Sequence, residues 1–217
     1  MAKAVFLDYF GTILQEYGPD MQQMIARCAA NSSADEGKLF TWWTKNLQNL
    51  EIASYGDNFI TEEEICLKLL TMAEKEFGLR DDLAELRQIA ISGWMYAPIF
   101  TDVKTFLEQC GRPVYIVANN NDKYVRVCLK RNDLHVNGII CGDMVRSYKP
   151  NKEIFEKALE VAGVDAADAV YIGDSPVSDV EGARNAGITP ILLDRKGRYD
   201  NPGCRRVTNL RDALRSV

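Results

Sequence analysis

Short uninterrupted apolar runs alternate with helical periodicity along much of this chain. The runs fall at residues 4–7, 114–117, 138–140, 169–172 and 190–193. Such runs predict strands buried on both faces, as in a parallel sheet. Between the later ones the period becomes that of a helix. Residues 103–109 set Val103, Phe106 and Leu107 on one face, and Gly111, Arg112 and Pro113 stop the pattern. Residues 123–130 and 152–162 follow the same rule, and an amphipathic stretch over 179–186 ends at Gly187. Strand alternating with helix over residues 99–217 predicts parallel βαβ units with right-handed crossovers.

Residues 15–98 read differently. Helical periodicity covers 21–30, 36–50, 61–77 and 83–94, and no strand-like run separates them. Breakers stand between at Asn31-Ser32-Ser33, at Ser54 through Asn58, and at Gly78. Thr61 with Glu64 fits a capping box and predicts a helix start there. A four-helix insert is expected, with Phe40, Trp42, Trp43 and Phe59 in its core. The division is a core of residues 1–14 and 99–217 and a helical cap of residues 15–98. The fold class is α/β, a parallel-sheet core with an inserted four-helix-bundle cap. Because the insert directly follows the first strand, it hangs over the sheet's carboxyl edge, where a lid belongs.

The 217 residues can bury a sizeable core without staples. A net charge of −5 argues against a nucleic-acid partner. It leaves small phosphorylated substrates open, since these need only a local positive pocket. No apolar stretch approaches the ~20 residues of a membrane span, and the first strand begins too early for a signal peptide. The six cysteines lie no closer than thirteen positions apart, which excludes CxxC redox or zinc spacing. A cytoplasmic protein with reduced thiols is expected. His135 is the sole histidine, so multi-histidine metal sites are excluded.

Candidate chemistry gathers at strand ends. Ligands of open parallel sheets bind beyond the carboxyl ends of the strands. Asp8 ends the first strand, with Gly11 and Thr12 following. Asn119 and Asn120 follow the second, Lys149 precedes Pro150, and Asp174 through Asp179 follow the fourth. Singly, these are turn, cap or solvated residues. Together they suit phosphoryl chemistry. Asp8 would attack phosphorus and form an aspartyl-phosphate that water later splits. Three carboxylates, Asp8, Asp174 and Asp179, would repel without a cation, and Mg²⁺ suits such oxygen ligands. Lys149 would orient Asp8 and hold phosphoryl oxygens. Asn119, the backbone around Asn120, and Thr12 could bind the same oxygens.

At this point the chain resembles the haloacid dehalogenase-like superfamily, in its branch with a helical cap. The matching motifs are Asp8-Tyr9-Phe10-Gly11-Thr12, Ile116-Val117-Ala118-Asn119, Ser147-Tyr148-Lys149-Pro150, and Gly173-Asp174 through Asp179 followed by Glu181-Gly182-Ala183-Arg184-Asn185-Ala186-Gly187. The resemblance implies a Rossmann-like core, an aspartyl-enzyme intermediate and, in most members, Mg²⁺-dependent phosphatase activity. It also implies metal ligands at Asp8, the backbone carbonyl of Phe10, Asp174 and, directly or through water, Asp179.

Two positions depart from that pattern. Phe10 stands where the family carries a second acid, the group that protonates the leaving oxygen. Such a loss costs ~10²–10⁴-fold where nothing substitutes. Ala118 stands where the family has a hydroxyl. Three readings follow: a Mg²⁺-dependent phosphohydrolase for a small phosphorylated metabolite, working with a good leaving group or with an acid from the cap or Tyr9; a metal-independent hydrolase of a halogenated metabolite, whose relatives often carry an aromatic residue at this position; and a non-catalytic binding protein. A variant of the first, with a cap lysine as a Schiff base, would use Lys38 or Lys45.

Overall fold

The computed structural model describes residues 2–200 and 202–217. Strand β1 (Ala4–Leu7) is followed by four helices, α1 (Pro19–Ala30), α2 (Glu36–Ala53), α3 (Glu62–Phe77) and α4 (Leu83–Tyr96). The chain then alternates: α5 (Val103–Gln109), β2 (Val114–Ala118), α6 (Asp122–Asn132), β3 (Gly138–Cys141), α7 (Gly142–Val145) and α8 (Lys152–Ala162). It ends with β4 (Ala169–Gly173), α9 (Gly182–Asn185), β5 (Thr189–Leu193), β6 (Arg205–Val207) and α10 (Leu210–Ala213).

The strands form one parallel sheet in the order β3-β2-β1-β4-β5-β6. This is the Rossmann-like order, and its direction reverses at β1 and β4. Every residue of β1 and β4 is buried, which explains their uninterrupted apolar character. On one face Leu7, Ile116 and Ile172 pack with Val103, Phe106 and Val125. On the other Phe6, Val117 and Tyr171 meet Ile154, Phe155 and Ala158 of α8. Each fully buried large apolar side chain here contributes about 1.5–3 kcal/mol.

Helices α1 to α4 enclose a separate apolar cluster that includes Met24, Leu39, Trp43, Leu70 and Leu86. Phe40, Trp42 and Phe59 are half-buried against it. Thr61 and Glu64 form the expected capping box of α3. Phe10 packs against both this cluster and the sheet core.

The structure departs from the sequence reading in three places. Strand β6 carries two exposed arginines and only one buried residue, Val207, so it has no apolar run to betray it. Residues 179–186 are not one amphipathic helix. A π-helical turn, Pro176–Glu181, precedes the short α9. Ser175 caps that turn by accepting from the Ser178 N–H at 3.0 Å. The Asp179 carboxylate points inward, where it accepts from the Ser175 N–H at 2.9 Å. Finally, α2 runs to Ala53 rather than stopping at residue 50. No helix among the described residues is long and apolar enough to cross a membrane. The cysteines are unpaired, and all but Cys204 are buried.

Candidate active site

Asp8 leaves β1 at the sheet's reversal point, its N–H donating to the Ile172 carbonyl of β4 at 2.9 Å. The chain then folds back tightly, with the Ile13 N–H on the Tyr9 carbonyl at 2.8 Å. Gly11 makes this turn possible. Its φ is +99°, and a Cβ there would lie 2.6 Å from the Asp174 carboxylate. Gly173 is equally constrained, because a Cβ would meet the Asp179 carboxylate at 2.3 Å. The two glycines let three carboxylates approach one another. A ligand oxygen from each of Asp8, Asp174 and Asp179 lies within 4.8 Å of the others.

Lys149 stands in the same place. Its Nζ donates to Asp8 Oδ1 at 2.6 Å, to Asp179 Oδ1 at 2.7 Å and to the Tyr171 hydroxyl at 2.9 Å. Lys149, Asp8 and Asp179 are 3, 5 and 1 % exposed. Tyr171 completes the cluster by donating to the Val117 carbonyl at 3.1 Å. Asn119 fixes the lysine's backbone. Its Oδ1 accepts from the Lys149 N–H at 2.7 Å and its Nδ2 donates to the Lys149 carbonyl at 3.4 Å.

These contacts divide the carboxylate oxygens unequally. Both oxygens of Asp179 are engaged, Oδ1 by the Lys149 ammonium and Oδ2 by the Ser175 N–H. Asp8 Oδ2 is buried without a partner. Burial pushes the Asp8 carboxyl up to about 6 despite Lys149, and pushes Asp174 well above its ordinary range. Burial works against the Lys149 ammonium, but Asp179 and Asp8 outweigh it and hold the proton tightly. Three carboxylates against one buried ammonium leave a net negative site. Arg198 approaches Asp174 only at 3.8 Å and is half-exposed.

A cavity of about 440 Å³ opens over this cluster. Asp8, Asn119, Lys149, Asp174 and Asp179 line its floor, and Trp43, Leu47, Leu69 and Trp94 of the helices line its roof. Glu51 and Glu62 enter it from α2 and α3. Glu62 accepts from the Asn120 side chain and, at 2.9 Å, from the Asn121 N–H. Burial pushes Glu62 well above its ordinary range and Glu51 up to about 7.

A model for haloacid dehalogenase-like hydrolases matches residues 2–187. The chain belongs to that family. Among its relatives, the glyceraldehyde 3-phosphate phosphatase of Pyrococcus abyssi is 23% identical over 194 residues, covering 88% of this chain and 81% of that protein. The phosphoserine phosphatase of Thermus thermophilus is 29% identical over 125 residues, 54% of this chain and half of its own. In fold, the L-2-haloacid dehalogenase of Xanthobacter autotrophicus superposes with a TM-score of 0.80 at 17% identity, covering 99% of this chain and 98% of that one. The Bacillus subtilis HAD-hydrolase YfnB, solved bound to magnesium, gives 0.79 at 18% identity, with 99 and 98% coverage. Phosphatases and dehalogenases are both hydrolases, and this haloacid dehalogenase-like chain is one as well.

The structure brings together Asp8, Lys149, Asn119, Asp174 and Asp179, the residues that the strand ends nominated. Phe10 is also on the cavity wall. Thr12 is different. It is fully buried, is absent from the cavity lining, and its carbonyl accepts from Arg195 at 2.9 Å. The Asn120 side chain reaches the cavity but is taken by Glu62. Tyr9 does not serve as an acid here, because its hydroxyl donates to the Trp94 carbonyl at 2.8 Å, away from the cavity. Lys38 and Lys45 are exposed and outside the cavity, so neither is a Schiff-base lysine of this site. Sequence reasoning missed Tyr171, Glu51, Glu62 and Arg198. Tyr171 had a signal: a hydroxyl inside a strand buried on both faces needs a partner.

Proposed function

We propose that this haloacid dehalogenase-like protein is a Mg²⁺-dependent phosphohydrolase of a small phosphorylated metabolite, with Asp8 as nucleophile. The observation that carries this reading is the division of oxygens around Asp8. Lys149 holds Oδ1, Oδ2 is buried and unpaired, and Asp174 stands beside it in an uncompensated acidic cluster. A buried orphan carboxylate oxygen among further carboxylates fits a hard cation. Asp8, Asp174 and the Phe10 backbone carbonyl would hold Mg²⁺, with Asp179 turned back toward Lys149 and acting indirectly. The ion would neutralise phosphoryl charge.

The chain's own residues account for the rest. Lys149 keeps Asp8 oriented and adds positive charge for the phosphoryl oxygens. Asn119 sets the lysine's backbone, and Tyr171 with Asp179 fixes its ammonium. The apolar roof keeps bulk water away while the acyl-phosphate exists. The similarity to named phosphatases supports a phosphorylated substrate.

A second reading, metal-independent hydrolysis of a halogenated acid, draws support from Phe10 and the apolar roof, since halide departs without a proton. One assay separates them. 4-Nitrophenyl phosphate and 2-chloropropionate are each incubated with Mg²⁺ and with chelator, using the wild type and Asp8→Asn. The proposal expects phosphate release that needs both Mg²⁺ and Asp8. Halide release that survives chelation would overturn it in favour of the second reading.

A further inference from the structure

Hydrolysis of an alkyl phosphoester through Asp8 requires a proton for the leaving oxygen, and Phe10 supplies none. The candidate must reach the cavity, face the reacting carboxylate and be free of other duties. Tyr9 is turned away. Glu62 is committed to Asn120 and the Asn121 N–H. Glu16 also reaches the cavity, from the loop between β1 and α1, and serves as the comparison in the test.

Glu51 reaches the cavity that Asp8 lines, from the helical cap. It lies on the α2 stripe that runs Trp43, Leu47, Glu51, each four positions apart and each on the cavity wall. Asn119, whose side chain clamps the Lys149 backbone, lines the same cavity. The titratable groups that share the cavity wall with it are Asp8 from the β1 end, Glu16 from the loop after β1, Glu62 from α3, Lys149 from the loop before α8, and Asp174 and Asp179 after β4.

The end of α2 is also pinned to the segment that carries Lys149. The Asn151 side chain donates to the Ile52 carbonyl at 3.3 Å. The Gly56 N–H donates to the Arg146 carbonyl at 2.9 Å, and the Arg146 side chain returns to the Gly56 carbonyl at 3.0 Å. Tyr55 and Ser147 pair as an antiparallel bridge. Glu51 is therefore held in register with the nucleophile's partner rather than carried on a free helix.

We propose that Glu51 is the general acid–base of this site, doing from the helical cap what the side chain at position 10 cannot. The proposal rests on the phosphohydrolase reading above. In the first step an Asp8 oxygen bonds to phosphorus and the bond from phosphorus to the ester oxygen breaks. The electron pair stays on that oxygen, which takes the Glu51 proton and leaves as an alcohol. In the second step the Glu51 carboxylate removes a proton from water as the water oxygen bonds to phosphorus. The bond from phosphorus to Asp8 breaks, its electron pair returns to Asp8, inorganic phosphate leaves, and Glu51 is again protonated. Burial keeps part of the Glu51 population protonated near neutrality, up to about 7, where an acid–base group works best.

The test compares wild type, Glu51→Gln, Glu16→Gln and Asp8→Asn on an alkyl phosphate and on 4-nitrophenyl phosphate, whose leaving group needs no proton. Glu51→Gln should lower alkyl phosphate turnover by ~10²–10⁴-fold. With the aryl ester it should release one equivalent of 4-nitrophenolate at the wild-type rate and then stall, because the aspartyl-phosphate lacks its base. The wild-type decline in alkyl turnover above about pH 7 should vanish in the variant, and formate should restore turnover to Glu51→Ala. Equal loss on both substrates with no burst, no loss on either, or the same signature in Glu16→Gln instead would overturn the proposal while leaving the nucleophile assignment standing. A wild type that hydrolyses neither ester, and matches Asp8→Asn, would overturn the phosphohydrolase reading and this inference with it.

Discussion

At the scale of single residues, the site depends on close approach. Gly11 both adopts a positive φ and leaves room for the Asp174 carboxylate. Gly11→Ala should therefore strain the loop by about 1–3 kcal/mol and push Asp174 from its place. A lowered urea midpoint together with weakened Mg²⁺ dependence of turnover is the expected result. Lys149 presents a different balance. It compensates two buried carboxylates directly, so Lys149→Met strands both charges. Removing one partner of a buried pair costs about 3–5 kcal/mol, and denaturant titration above pH 7 should show a loss of that order. Unchanged stability would mean that water or cations replace the ammonium without cost. Asp8 and the acids after β4 were legible because they follow strand ends, and Lys149 because it stands before Pro150 in the matching motif. Glu51 was not. A glutamate one position beyond the expected end of α2 reads as a solvated terminus until the helix is seen to continue to Ala53.

At the scale of elements, the start of α3 is the seam between the helices and the sheet. Thr61 and Glu64 cap it, and the next residues reach across. Glu62 meets Asn120 and Asn121, and Glu63 accepts from Lys123 Nζ at 2.7 Å and from the Tyr124 hydroxyl. Thr61→Ala removes the cap and should cost about 1 kcal/mol, a fall of roughly 2–4 °C in melting midpoint for a domain of this size. Because the cap also aims Glu62, KM should rise more than kcat falls. No change in either would show that the seam is held elsewhere. The capping box was visible as Thr61 with Glu64. The seam was not, because helical periodicity says which face is apolar but not which neighbour its polar end will find.

At the scale of the whole molecule, buried acids set the pH response. Burial raises Asp8 to about 6 and Glu51 to about 7, and raises Glu62 as well. Such groups bind protons more tightly folded than unfolded. Their stabilising contribution is complete below the ordinary carboxylate range and is lost as pH rises through the folded values. Without divalent cations, stability should fall between about pH 5 and about pH 8, and Glu51→Gln should flatten the slope. Asp81, paired with Arg27, is held below its ordinary value, so its contribution disappears only at pH below that window. A urea midpoint that rises across the window would show that the buried carboxyls ionise freely. The apolar runs and the helical stretch between the first two of them determined a parallel sheet interrupted by helices, because burial on both faces and amphipathic packing each impose their own period on the sequence. The residues that follow the apolar runs marked where reactive groups gather, whereas the strand order and its reversal came from the structure. Which oxygen of Asp8 stays free, and which helix residues line the cavity above it, were decided only by tertiary structure. Those features are distances between segments far apart in the chain, and no local pattern of hydrophobic and polar residues encodes them.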